Sequence, residues 1–214
     1  MKQHPFAATP TSAAVLYSCL VLGLAACGPQ PEPMDVVEAT ISQVQEAIRS
    51  GATTCRMVVQ AHLDRIETYD DATVNAITVL NPNALNRADE IDAAVKAGED
   101  LGDLFCVPML VKDNFDTHDM ITSGGSISLI DNFPPDDAFM VRRIREEDAI
   151  IIAKTNMAEW AFSPRESVSS SFDTTANAYD LDRVPAGSSG GTASGVAASF
   201  GLIGLGSDTG NSIR

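Results

Sequence analysis

The sequence predicts an α/β fold: a central sheet covered by helices on both faces, preceded by a helical N-terminal layer. Three observations carry this. Val107 to Val111 and Ala149 to Ala153 are continuous apolar runs rather than alternating ones, as in strands buried on both sides. Helical patterns alternate with those runs, the order of an α/β sheet. Three helical patterns also precede the first run.

Taken in order, Thr40 to Ser50 reads as a short helix closed by Gly51. Thr53 and Thr54 cap a second, running to Tyr69, with Val58, Val59, Leu63 and Ile66 on its apolar stripe. Asn81-Pro82 opens a third, carrying Ala84, Leu85, Ala88, Ile91, Ala94 and Val95 at helical spacing and stopped by Gly98. The first strand ends in the charged pair Lys112-Asp113. Asp136 and Asp137 then open a helix with Phe139, Met140 and Ile144. The second strand ends at Lys154-Thr155-Asn156. Gly190 to Phe200 is small-residue-rich and helical, and Gly201 to Gly206 returns to strand. Charged or polar residues at strand ends are where such folds keep their sites.

The chain has 214 residues, 44% hydrophobic and 20% charged, which suits one domain with a sizeable core. Its net charge of −15 repels phosphate backbones and argues against a nucleic-acid partner. No Cys/His spacing for zinc and no calcium-loop pattern occurs, so neither metal nor cofactor is expected.

The first residues carry a separate signal. Lys2 precedes Ala13 to Ala26, an uncharged, mostly apolar run of signal-peptide length that is short for a membrane span. It ends Leu24-Ala25-Ala26-Cys27, which resembles the lipobox of bacterial lipoproteins. That resemblance implies a signal peptide over 1–26, acylation of Cys27, and anchorage in the cell envelope, at the periplasmic side of the outer membrane. The alternate prolines Pro29, Pro31 and Pro33 make 27–39 an extended tether, leaving 40–214 as the folded body. Export favours oxidation, so Cys55 and Cys106 are either a disulfide or two buried thiols.

For chemistry, histidine offers little. His4 lies in the export signal, His62 reads as a helix-surface residue, and His118 reads as a loop residue near Asp116 and Asp119, a weak alternative base. Gly187-Ser188-Ser189-Gly190-Gly191 fits a G-x-S-x-G elbow with Ser189 as nucleophile, but Pro185 and the polar Asp180 to Arg183 argue against the strand that elbow needs. A desolvated lysine is another base, because burial disfavours its charge. Lys112, ending an apolar strand, is placed for that, although pairing with Asp113 is the simpler role. Val184 to Gly191 and Leu205 to Arg214 are rich in Gly and Ser, which allow successive N–H groups to face one anion. Val196, Ala197, Phe200 and Ile203 interleave with the glycines too regularly for a linker.

Four blocks then stand in order: V-P-x-L-V-K-D-N, K-T-N-M-x-E-W, P-x-G-S-S-G-G and G-x-G-S-D-T-G-x-S-I-R. Together they resemble the amidase signature family, from about Thr40 to the last residue. The resemblance implies the amidase signature fold, in incomplete form, and a Ser-cisSer-Lys triad. Ser212 is then the nucleophile. Ser188, twenty-four residues earlier and joined to Gly187 by a cis bond, is the relay, and Lys112 is the base. The backbone N–H groups of Thr209, Gly210, Asn211 and Ser212 are the implied oxyanion hole. Ser189 is implied to bond the lysine, and Asp208 and Arg214 to pair behind the loop.

The implied activity is hydrolysis of a small-molecule amide through an acyl-enzyme, on carbon–nitrogen bonds other than peptide bonds. The alternatives are an inactive envelope-anchored binding protein of the same fold and an amidotransferase A-type subunit. Trp160 and Phe162 are expected in the core, with a substrate channel as the alternative. Several positions depart from the family pattern: Cys106, Asp148, Ala153, Ala186 and Asn211 stand where glycine is usual. Because family members run to about twice this length, the 214-residue piece alone is expected to expose a sheet edge, aggregate and show no turnover.

Overall fold

The structure, a computed structural model, describes residues 30–213. The apolar run, Cys27 and Arg214 lie outside the described residues. Among the described residues, no helix is long and apolar enough to cross a membrane.

The N-terminal helices form where their caps place them. Helix α1 (Ile41–Arg49) starts at a capping box between Thr40 and Gln43. Helix α2 (Cys55–Tyr69) is capped by Thr54, whose side chain accepts from Met57 N–H, and a π-helical turn, Asp70–Val74, follows it. Within the stretch read as a tether, Met34 and Val36 pack against this core and Glu32 N–H bonds Ala52 O.

Strand β1 (Ile77–Leu80) comes next and was not expected. It precedes α3 (Ala84–Ala97), so the first three helices are not an uninterrupted layer. Four residues are too few to display a period, and the partner of β1 lies far along the chain: Ile77 pairs with Thr155. After Gly98 (φ 70°) stops α3, the order is β2 (Pro108–Lys112), α4 (Phe139–Glu146) and β3 (Ile150–Thr155). A small hairpin of β4 (Val168–Ser169) and β5 (Asp173–Thr174) leads to α5 (Gly190–Ala197) and β6 (Ile203–Leu205). Asp136 and Asp137 do not cap α4: its N-cap is Ala138, with no side-chain bond, while Asp137 takes Arg145 and His118.

The main sheet has the order β1-β3-β2-β6, with β1 antiparallel to β3 and the other pairs parallel. Every residue of β2 and β3 is buried, as continuous apolar strands require. Leu110, Ile150, Ile152 and Ala153 enter the core built with α1, α2, α3 and α5. Val111 and Ile151 face the other way, onto Met120 and Val141 of α4. A register shift after Met109 leaves Lys112 level with Thr155, and Val111 level with Lys154. Successive residues alternate faces, so Lys112 projects toward α5 while Lys154 and Asp113 project to the α4 side.

Candidate active site

Lys112 ends β2 with its side chain fully buried. Its Nζ donates to Ser188 Oγ at 2.7 Å, Ser189 Oγ at 2.9 Å and Ser207 Oγ at 2.9 Å. Burial pushes the amine down to about 8, against a smaller upward pull from the Asp208 carboxylate. Asp113 does not pair with it. That carboxylate forms a 3.3 Å ion pair with Lys154.

The serines come from the turn that opens α5. The Gly187–Ser188 peptide is cis. A Cβ at Gly187 would lie 2.3 Å from Glu166 O, so only glycine fits there. Gly191 is equally tight, 2.2 Å from Asn156 O, which lets the first turn of α5 seat on the end of β3. Thr155 and Thr192 share a 2.6 Å bond between those elements. Ser189 Oγ also donates to Ser207 O at 3.1 Å, tying this turn to the segment after β6.

Ser212 is buried beside this cluster and reaches it through its backbone, its carbonyl accepting Ser189 N–H at 3.2 Å. No hydrogen bond joins Ser188 Oγ to Ser212 Oγ among the described residues. Asn211 sits at φ 77°, and the N–H groups of Asn211 and Ser212 both donate to Asp208 Oδ1, at 2.8 and 3.0 Å. Thr209 and Gly210 are exposed. A cavity of about 460 Å³ runs beside β6, lined by Gly187, Ser189, Gly206 and Ser212 on one side and Val196 and Leu202 on the other.

Other predicted residues fall elsewhere. Cys55 and Cys106 form a disulfide with Cα atoms 5.6 Å apart, joining α2 to the chain entering β2. His62 is not on the helix surface. It is fully buried, its Nδ1 lies 2.9 Å from Ser199 O, and burial pushes it down to about 4. His118 pairs with Asp137 at 2.9 Å. Asp119 and Asp137 close around the same point, but Arg145 bridges both carboxylates, at 2.7 and 3.1 Å. Trp160 and Phe162 are not core residues: they are 48% and 87% exposed. Trp160 instead borders a pocket of about 220 Å³ with Asn114 and Gly124. Asn114 Nδ2 donates to the Ser207 hydroxyl that Lys112 also bonds.

Sequence reasoning passed over Ser207, although it stands inside a quoted block, because the roles read there began at Asp208. It also passed over Lys154, whose block was noted without a role. The signal was available: a lysine inside a buried strand needs a counter-charge, and Asp113 is the acid at the neighbouring strand end.

The amidase family profile matches residues 57–214. The chain is 40% identical over 181 residues to the A subunit of the glutamyl-tRNA(Gln) amidotransferase of Alkaliphilus metalliredigens, covering 85% of this chain and 37% of that protein. Among solved structures it resembles the peptide amidase of Stenotrophomonas maltophilia, with a TM-score of 0.73 and 36% identity, over 78% of this chain and 35% of that one. It also resembles a fatty acid amide hydrolase, with a TM-score of 0.79 and 26% identity, over 87% of this chain and 33% of that one. The chain thus spans about a third of these relatives' length. A match over most of the chain, carrying the Gly/Ser blocks that surround the buried lysine, places it in the amidase signature family.

Proposed function

We propose that the protein hydrolyses amide bonds with Ser212 as nucleophile, Ser188 as relay and Lys112 as base. The supporting observation is the buried Lys112 amine, 2.7 Å from Ser188 Oγ and held by hydroxyls rather than a carboxylate. A base must be neutral to act, and burial brings the amine down toward that form, to about 8. Lys112 takes the Ser188 hydroxyl proton as Ser188 takes that of Ser212, whose Oγ attacks the amide carbon. The C–N bond then breaks, and the proton on Lys112 returns through Ser188 to the leaving amine. Water enters by the same relay and releases the acid.

Two movements are required of the segment 206–213. Ser212 Oγ has to close on Ser188 Oγ. The Asn211 and Ser212 N–H groups have to exchange Asp208 for the oxyanion, joining Thr209 and Gly210. A fluorophosphonate probe applied to the full-length protein tests the reading: labelling is expected, and is expected to vanish in Ser212→Ala. Labelling that survives that substitution removes Ser212 from the mechanism.

The likeness to amidotransferase subunits supports a second reading, in which water still takes the acyl group but the ammonia released passes to a partner rather than into solvent. The acidity of the chain disfavours a tRNA partner. Glutamine hydrolysis that depends on added partner subunits would favour this reading; hydrolysis of simple amides by the protein alone favours the first. The lipobox-like segment supports an envelope location through acylated Cys27, tested by incorporation of a labelled fatty acid that Cys27→Ser abolishes.

A further inference from the structure

Each face of the sheet carries one buried lysine at a strand end, and an acid stands between them in sequence. Asp113 follows Lys112 directly and turns to the other face, where its carboxylate meets Lys154 Nζ at 3.3 Å, with both side chains essentially unexposed. The same carboxylate accepts Ser123 N–H at 3.2 Å, the Ser123 hydroxyl, and Gly125 N–H at 3.3 Å. Lys154 also donates to Phe115 O at 2.9 Å, Ile121 O at 3.1 Å and Thr122 Oγ1 at 2.7 Å. It therefore closes the loop that carries Asn114 to the Ser207 hydroxyl beside Lys112.

We propose that Lys154 is a positioning residue for the base: its ammonium cancels the Asp113 carboxylate, so that Lys112 is left among hydroxyls, free to take and return a proton. The proposal rests on the reading of Lys112 as the base. The Asp113 carboxylate follows Lys112 directly in the chain, and left unbalanced it would favour the protonated form of the Lys112 amine across the sheet. The other charges are accounted for. Burial lowers both amines; Asp208 pulls Lys112 back up from the Gly/Ser segment, whereas Asp113, Asp116 and Asp119 pull up Lys154. The fold thus places a compensating cation on the face away from the cavity beside β6, whose lining it does not join.

The test is the ionisation of Lys112 in the full-length protein, followed by NMR of ¹³Cε-labelled lysine and assigned by the peak that Lys112→Met removes. In Lys154→Met the Lys112 titration is expected to move up by about one pH unit or more. Adding Asp113→Asn is expected to bring it back, and Lys154→Arg to leave it in place. A titration unmoved in Lys154→Met overturns the proposal, as does one that Asp113→Asn fails to restore. Should Lys154→Met not fold, the neutral pair and Lys154→Arg still decide, since a displaced titration in either contradicts charge cancellation. The readout needs no turnover. If Lys112 shifts as expected in a protein that hydrolyses no amide, the reading of Lys112 as a base fails and only the charge cancellation between Lys154 and Asp113 stands.

Discussion

Lys112 and Lys154 end neighbouring strands and are equally inaccessible to solvent, yet their surroundings favour opposite roles. Around Lys154 stand the Asp113 carboxylate and the carbonyls of Phe115 and Ile121, which only accept hydrogen bonds, together with the Thr122 hydroxyl at 2.7 Å. A carboxylate and two carbonyls at one amine favour its ammonium form. Around Lys112 stand three hydroxyls, from Ser188, Ser189 and Ser207, each able to donate or accept. That cage satisfies the amine in either state. Burial alone therefore does not make a lysine a base; the hydrogen-bonding character of its neighbours does. The faces differ in the same sense. The Lys112 face is packed by α1, α2, α3 and α5 and stapled by the disulfide, whereas the α4 side is tied by the pairs of Lys154 and Arg145.

The sharpest way to break this comparison is to replace each lysine by methionine. In the full-length protein, Lys112→Met is expected to cut amide turnover by about 10³-fold or more, while leaving the fold intact. It should even gain stability near neutral pH. The folded value of the amine, about 8, lies below the usual 10.5, so the unfolded chain holds that proton more tightly. Wild type therefore carries the cost below pH 8 and loses it as pH rises to 10.5, amounting to at most about 3 kcal/mol. Lys154→Met strands a buried carboxylate and should cost about 3–5 kcal/mol. Urea unfolding of both variants reads the difference; equal losses would erase the distinction between the two lysines.

The disulfide sharpens the contrast between the two faces. Cys55 and Cys106 close a loop of 51 residues, which on the chain-entropy model stabilises by about 4 kcal/mol. The Cys55→Ala/Cys106→Ala protein should lose roughly that amount in urea unfolding. A disulfide that held nothing would leave the midpoint unmoved.

How far the sequence revealed this architecture depends on the range of each signal. Helices with local caps were legible to within a residue or two: Thr40, Thr54 and Gly98 mark the ends that were read. Strand β1 was not legible, because its evidence is a pairing with β3 across more than seventy residues. His62 was misread although the signal was present. It lies four residues from both Val58 and Ile66 on the buried stripe of α2, but a polar side chain was assumed to face water. Lys112, Ser188 and Ser189 are brought into contact as the blocks implied, whereas the hydroxyls of Ser188 and Ser212 are not bonded to each other. The α4 side was the poorer reading, since Lys154, Asp113 and the loop they close are joined only in space.

His62 offers a smaller test, again specific to the Lys112 face. Burial holds its ring at about 4 against an ordinary 6.5, so the unfolded chain takes the proton first as pH falls. The stability this histidine leaves intact is full above pH 6.5 and is lost progressively toward pH 4, by about 3 kcal/mol. Unfolding midpoints measured at pH 7 and pH 4.5 should differ less in His62→Gln than in wild type. An unchanged difference would mean that the ring stays solvated or finds a partner for its charge.

The smallest expected effect concerns backbone strain. Four of the positions that depart from the family's glycines, Cys106, Asp148, Ala186 and Asn211, have φ between 54° and 77°, where a side chain costs about 1–2 kcal/mol. At Asp148 the carboxylate offsets that cost, bonding Arg87 at 2.6 Å and Gly102 N–H at 2.8 Å. At Cys106 the disulfide does so. Ala186, directly before the serine turn on the Lys112 face, has only a methyl group to offer. Ala186→Gly should therefore gain about 1 kcal/mol, a rise of about 2–4 °C in Tm, whereas Asp148→Gly should lose stability. A gain of equal size in both would mean that strain alone sets the cost at these turns and that the Arg87 pair contributes nothing.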